Sequence, residues 1–276
     1  TRSRWFLHGR QVHTSGNRLS AFGAQGLSGH VAGAPDKKVL YDNHVPTTPV
    51  QKLLLSVTSA FSVFADPERG DMLATLGEVT GADALRKLHA RMCADPTGMR
   101  ILAEKPSIRS TAIDVDALRA LPEHTFGHQY TRFMDAHGFE ADGRAYVHYV
   151  DDPELAYVMQ RYRELHDFWH TLYGLPPTVF GEIALKYVEL AQTTLPVCAL
   201  SGFVGPLRLT SGERQALVRY YIPWANRAGR HARCLMNVYY EEEFETPIDE
   251  LRARLRIIPA PPVEEVLKNV KDRSVQ

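Results

Sequence analysis

The 276-residue chain predicts an all-α fold built as a single helical domain. Three observations carry that expectation. Helix start and stop signals dominate from residue 41 onward. A capping side chain followed by proline opens one segment after another, as in Thr48-Pro49, Asp95-Pro96 and Asp152-Pro153. Only "RCLMNVYYEEEF" has strand character.

Taken in order, "TPVQKLLLSVTSAFSVF" starts with Thr48 as N-cap and Pro49 in the first turn. "GADALRKLHARM" and "DPTGMRILAEKP" are two short helices, the second with an Asp-Pro start. "PEHTFGHQYTRFMDAHG" stops at Gly138, a residue that takes the left-handed turn ending a helix. The clearest element is "DDPELAYVMQRYRELHDFWHTLYGLPP". Asp152 caps it, Pro153 and Glu154 suit its first turn, Gly174 ends it and Pro176 forbids continuation. "TVFGEIALKYVELAQ" follows after a short turn. "SGERQALVRYYIPWANRAG" and "PIDELRARL" are later helices, and "IPAPPVEEVLKNVKDRSVQ" is a proline-led charged tail. The domain plan is residues 1–40 as a leader, 41–260 as the helical domain and 261–276 as the tail.

Composition bounds the function. The chain is 44% hydrophobic with a formal net charge of zero, enough apolar surface for a substantial core. It lacks the basic surplus that a nucleic-acid partner selects. Cys93, Cys198 and Cys234 are odd in number and far apart, so they make neither a disulfide framework nor a metal knuckle. The longest apolar run, 195–207, is broken by Pro196, Gly202, Gly205 and Pro206 and falls short of the ~20 residues that span a bilayer. Residues 1–35 hold four arginines, four serines and no acid, the composition of an organelle transit peptide.

Chemistry concentrates in "YRELHDFWHTLYGLPPTVFGEIALKY". On a helix, His166 and His170 lie one turn apart on one face, with Asp167 about 100° round from His166. A short turn makes the next helix an antiparallel neighbour, which brings Glu182 to the height of His170. Imidazoles and carboxylates in this pattern suit zinc, iron or manganese. Arg163, four residues before Asp167, and Lys186, four after Glu182, project near the same face. Each is either a partner of the site or a surface charge. His124 and His128 repeat the four-residue spacing without a nearby returning acid, and read as the start of a surface helix. Leu155, Met159, Tyr162, His166, His170 and Tyr173 form one stripe, either core or the lining of an apolar channel. "LPVCALSGFVGPL" is apolar and rich in small residues, consistent with core, a tail-binding surface or a dimer face.

The motif H-D-x-x-H-x11-E, here His166, Asp167, His170 and Glu182, resembles the signature of the coenzyme Q (ubiquinone) biosynthesis protein 4 family. "NHVPTTPVQKLLLSVTSAFSVFADPERGDMLATLGEVTG", "AEKPSIRSTAIDVDALRALPEHTFGHQYTRFMD", "GEIALKYVELAQTTLPVCALSGFVGPLRL" and "IPWANRAGR" also resemble its blocks, from about Tyr41 to about Ile258. The resemblance implies an all-helical protein at the matrix face of the mitochondrial inner membrane. It implies peripheral attachment and work within a multiprotein complex that builds ubiquinone. It assigns zinc to those four positions and links the chain to loss of the ring carbon-1 carboxyl of a polyprenyl-hydroxybenzoate, as a carboxy-lyase acting directly or oxidatively. Zinc is redox-inert, so an oxidative route needs another metal, a partner flavoprotein or redox chemistry carried by the substrate. Arg163 then becomes a clamp for the substrate carboxylate or a partner of Asp167. The sequence names no proton donor. The alternative is a non-catalytic scaffold that holds the prenylated intermediate, with a structural metal.

Overall fold

A computed structural model describes residues 38–65 and 69–274. The segment read as a leader falls almost wholly outside them. Among the described residues the architecture is helical, with no β-strand and a single isolated bridge between Thr125 and Pro247.

The helices are α1 (Pro49–Ala65), α2 (Gly70–Thr80), α3 (Ala82–Cys93), α4 (Pro96–Glu104), α5 (Val115–Arg119), α6 (Phe126–His137), α7 (Pro153–Tyr173), α8 (Val179–Thr193), α9 (Pro196–Val204), α10 (Ser211–Ala216), α11 (Ile222–His231), α12 (Ile248–Leu255) and α13 (Val263–Ser274). Most begin where the sequence puts a cap. The Thr48 hydroxyl accepts from Gln51 N at 3.2 Å while the Gln51 side chain accepts from Thr48 N, a reciprocal pair at the head of α1. Asp95 accepts from Thr97 N and Gly98 N, and Asp152 from Glu154 N and Leu155 N. Gly138 and Gly174 close α6 and α7 at φ 65° and 69°. A π turn, Leu217–Tyr221, joins α10 to α11. Pro223 lies two residues beyond it, and its missing N–H and ring clash disfavour an unbroken ladder there.

The hub is α7. Every residue from Glu164 to Tyr173 is buried, so the helix is wrapped on all sides rather than lying on a surface. α3, α4 and α6 pack on it. α8 runs antiparallel beside it, with Tyr162 meeting Glu189 at one end and His170 meeting Glu182 at the other. Gly181 allows the tight entry to α8: a Cβ there would stand 2.0 Å from the Pro176 carbonyl oxygen. α11 and α9 pack on α8, and α2 packs on α1 and α9.

The stretch with strand character is corrected. Residues 233–244 contain 3-10 turns at Leu235–Asn237 and Tyr240–Glu242. Alternation fails because Tyr240 and Glu241 are both fully buried. Tyr240 and Phe244 join an aromatic cluster with Phe126 and Phe168, while Glu241 turns inward to pair with Arg161. The proline-led charged segment forms α13, which lays Val266, Leu267 and Val270 against the core.

Arg161 and Glu241 are each fully buried, with Arg161 Nη2 2.9 Å from Glu241 Oε2. Removing one charge strands the other in an apolar interior. Glu241→Gln is therefore expected to cost about 3–5 kcal/mol, read as a lower urea midpoint with unchanged slope.

Candidate metal centre

Two side chains from α7 and one from α8 converge. His166 Nε2 and His170 Nε2 are 3.2 Å apart. Glu182 bridges them, with Oε1 3.1 Å from His170 Nε2 and Oε2 3.2 Å from His166 Nε2. The ligand atoms of all three residues lie within 4.8 Å of one another.

The other ring nitrogens explain this arrangement. His170 Nδ1 stands 3.0 Å from the Leu175 carbonyl oxygen, which can only accept. His166 Nδ1 stands 2.5 Å from Glu189 Oε1. Both rings therefore carry their proton on Nδ1 when neutral, leaving both Nε2 lone pairs facing each other and the Glu182 carboxylate. Three acceptors at this spacing repel unless a proton or a cation lies among them. Tetrahedral coordination with bonds of about 2.0 Å separates ligand atoms by about 3.3 Å, so the observed spacings fit a dication. Phe133 stacks on His170 at 5.4 Å and fixes its plane.

Electrostatics fit the same picture. Burial and Lys186 oppose charge on His166, but the carboxylates of Glu189 and Glu182 outweigh them and raise its pKa. Burial works against the Glu182 carboxylate too, yet the two imidazoles hold it well below the usual carboxylate range.

Asp167 stands apart from this triad. Its carboxylate is buried and takes both Arg144 Nη2 at 2.5 Å and Nε at 3.3 Å. The partner expected for it, Arg163, points elsewhere. Arg163 Nη2 bonds Glu78 Oε1 and the Ala74 carbonyl, each at 2.8 Å. Glu78 is buried and also accepts from His148 N and Tyr149 N, and Arg163 supplies its counter-charge. That buried demand overrides a local i,i+4 pairing. Lys186 reaches Glu189 at 2.6 Å. His124 is exposed and His128 sits on Arg119 O at 3.1 Å, so neither joins a metal-type cluster among the described residues. Sequence reasoning missed Arg144 and Glu189. Arg144 has no local signal. Glu189 has one, because Glu182, Lys186 and Glu189 fall at i, i+4 and i+7 on one stripe of α8.

A cavity of about 430 Å³ opens on the site, walled by Arg144, Arg163, His166, Glu182 and Lys186 and by apolar Met159 and Val197. A second, of about 250 Å³, shares Leu73, Glu182 and Lys186 with it and runs out past Val63, Val179 and Val204. Glu182 is the most open of the three, its side chain 39% exposed.

If His166, His170 and Glu182 together hold one ion, removing any of them should sharply lower metal content. His170→Ala and Glu182→Ala are each expected to lose most bound zinc by elemental mass spectrometry. The fold should persist in circular dichroism, since the core extends far beyond the site.

A model of the family described as coenzyme Q (ubiquinone) biosynthesis protein Coq4 matches residues 41–261. The chain is 48% identical over 229 residues to the mitochondrial ubiquinone biosynthesis protein COQ4 homolog of Xenopus tropicalis, covering 83% of this chain and 81% of that one. It is 47% identical to the human homolog over 224 residues, covering 81% and 84%. A solved Nostoc punctiforme structure carrying a ubiquinone-biosynthesis name shares the fold, with a TM-score of 0.60, 23% identity and coverage of 76% and 98%. The helical body that carries the His166, His170 and Glu182 cluster is thus matched almost from end to end, and this chain belongs to the coenzyme Q (ubiquinone) biosynthesis protein Coq4 family.

Proposed function

We propose that this protein is a metal-dependent carboxy-lyase of ubiquinone synthesis, removing the ring carbon-1 carboxyl group of a polyprenyl-hydroxybenzoate. The observation that carries the reading is the pair of imidazoles with both Nδ1 atoms engaged elsewhere and both Nε2 atoms facing Glu182. His166, His170 and Glu182 would hold the dication, zinc being the first candidate. Asp167 would join them only by exchanging Arg144, and otherwise orders the site through that arginine. A bound dication supplies Lewis-acid chemistry, orienting the carboxylate or stabilising charge on a ring oxygen.

The chain's own groups do the rest. Arg144 takes over the role given to Arg163: its guanidinium lies on the cavity wall, held by Asp167 through Nε and Nη2, which leaves Nη1 to donate to a substrate carboxylate. Met159 and Val197 line the same cavity and keep water from the ring. In the direct reaction a proton adds at the ring carbon, the carbon–carbon bond breaks, its electron pair returns to the ring and carbon dioxide leaves. The second cavity, walled mainly by apolar side chains, suits the start of a prenyl tail.

Location follows from the surface. No described helix is long and apolar enough to cross a membrane. α1 nevertheless exposes Val50, Leu53, Leu54, Val57, Phe61 and Phe64, and Phe203, in the apolar run that forms α9, is 82% exposed. This supports peripheral association with a lipid surface; the relatives are named mitochondrial, and the matrix side of the inner membrane is the location we propose. The same face also supports the second reading, a scaffold that docks the prenylated intermediate within a complex of biosynthetic proteins or as a homodimer.

Purified protein with a short-tailed prenyl-hydroxybenzoate should release carbon dioxide, and chelation should abolish the release. Tight binding of that compound by metal-loaded protein with no carbon dioxide released, in air or with a flavoprotein electron donor, would favour the scaffold instead. In vesicle flotation, Phe61→Ser with Phe64→Ser should reduce lipid association several-fold while leaving the melting temperature within a few degrees.

A further inference from the structure

Glu189 lies behind the candidate centre, on α8 seven residues beyond Glu182, and is fully buried. Four groups converge on its two oxygens. His166 Nδ1 is 2.5 Å from Oε1. Tyr162 OH and Lys186 Nζ are each 2.6 Å from Oε2, and Cys198 Sγ is 3.6 Å from it. Lys186 and Tyr162 can only donate to a carboxylate, so Glu189 acts here as an ionised acceptor.

We propose that Glu189 is a positioning residue for the metal: its Oε1 holds His166 in the Nδ1–H form, which aims the Nε2 lone pair at the space shared with His170 and Glu182, while Lys186 and Tyr162 restrain Oε2 from competing as a ligand. The inference rests on the metal reading given above. It explains an asymmetry within the site. His170 is oriented by a neutral backbone carbonyl, whereas His166 is oriented by a carboxylate. A carboxylate behind an imidazole makes the far nitrogen more basic and a stronger ligand, so His166 is the stronger of the two. Lys186 cancels the charge of Glu189, leaving Glu182 to set the net charge that a cation meets. A salt bridge that served packing alone would need Lys186 and Glu189, with no imidazole at 2.5 Å.

The test compares zinc affinity, by competition with a chromophoric chelator, in wild type, Glu189→Gln, Lys186→Met and the double variant. Glu189→Gln should bind zinc about 10–100-fold more weakly. Lys186→Met retains the His166–Glu189 bond and should bind at least as tightly as wild type. The double variant should follow Glu189→Gln and, having no unpaired buried charge, guards against a simple failure to fold. A second readout is independent of metal. Long-range proton–nitrogen spectra of histidine-labelled, metal-free protein at alkaline pH should show His166 as the Nδ1–H tautomer in wild type and a mixture in Glu189→Gln. Equal weakening in both single variants, or an unchanged affinity and tautomer in Glu189→Gln, would overturn the role given to Glu189. Wild-type protein that binds no divalent ion would sink the metal reading itself, a result distinct from zinc binding that ignores Glu189.

Discussion

Burial of α7 on every side is the constraint from which the rest follows. A helix wrapped by others cannot leave charged side chains in water, and an uncompensated charge in the interior is costly. The buried charged side chains of α7 therefore recruit partners from whatever packs against it. Arg161 takes Glu241 from the loop before α12, and Arg163 takes Glu78 from α2. Glu164 accepts from Ser107 and from Ile108 N after α4, and Asp167 takes Arg144. These pairs tie distant segments to one helix and specify how they lie on it.

The two histidines obey the same rule only in part. Their Nδ1 atoms are satisfied, by Glu189 and by the Leu175 carbonyl. Their Nε2 atoms meet each other and a carboxylate that is itself an acceptor. With both rings neutral, acceptors face acceptors here. A demand for a proton or a cation, concentrated beside an open cavity, is what singles this place out as a candidate site. The cavities that meet at Glu182 and Lys186 lead outward from that same place.

Much of this is legible in the chain. The caps of α7, its stop at Gly174 and the turn into α8 follow from local chemistry, and they suffice to bring His166, His170 and Glu182 to one height. What local chemistry does not reveal is which partner wins when several compete. Arg163 is four residues from Asp167 yet serves Glu78, because a buried carboxylate on another helix has the greater need. Arg144, 23 residues away, takes the vacant role from a loop with no helical periodicity to betray it. "RCLMNVYYEEEF" misleads for a similar reason: its aromatics and its Glu241 answer to the cluster around Phe168 and to Arg161, so β-propensity loses to tertiary packing.

The central claim is that both Nε2 atoms and Glu182 bind one dication. X-ray absorption at the zinc edge of the purified, zinc-loaded protein tests it directly. The account predicts nitrogen and oxygen scatterers at about 2.0–2.1 Å, with outer-shell scattering from two imidazole rings that is lost in part in His170→Ala. A first shell of oxygen alone without imidazole scattering, or sulfur at about 2.3 Å, would contradict it.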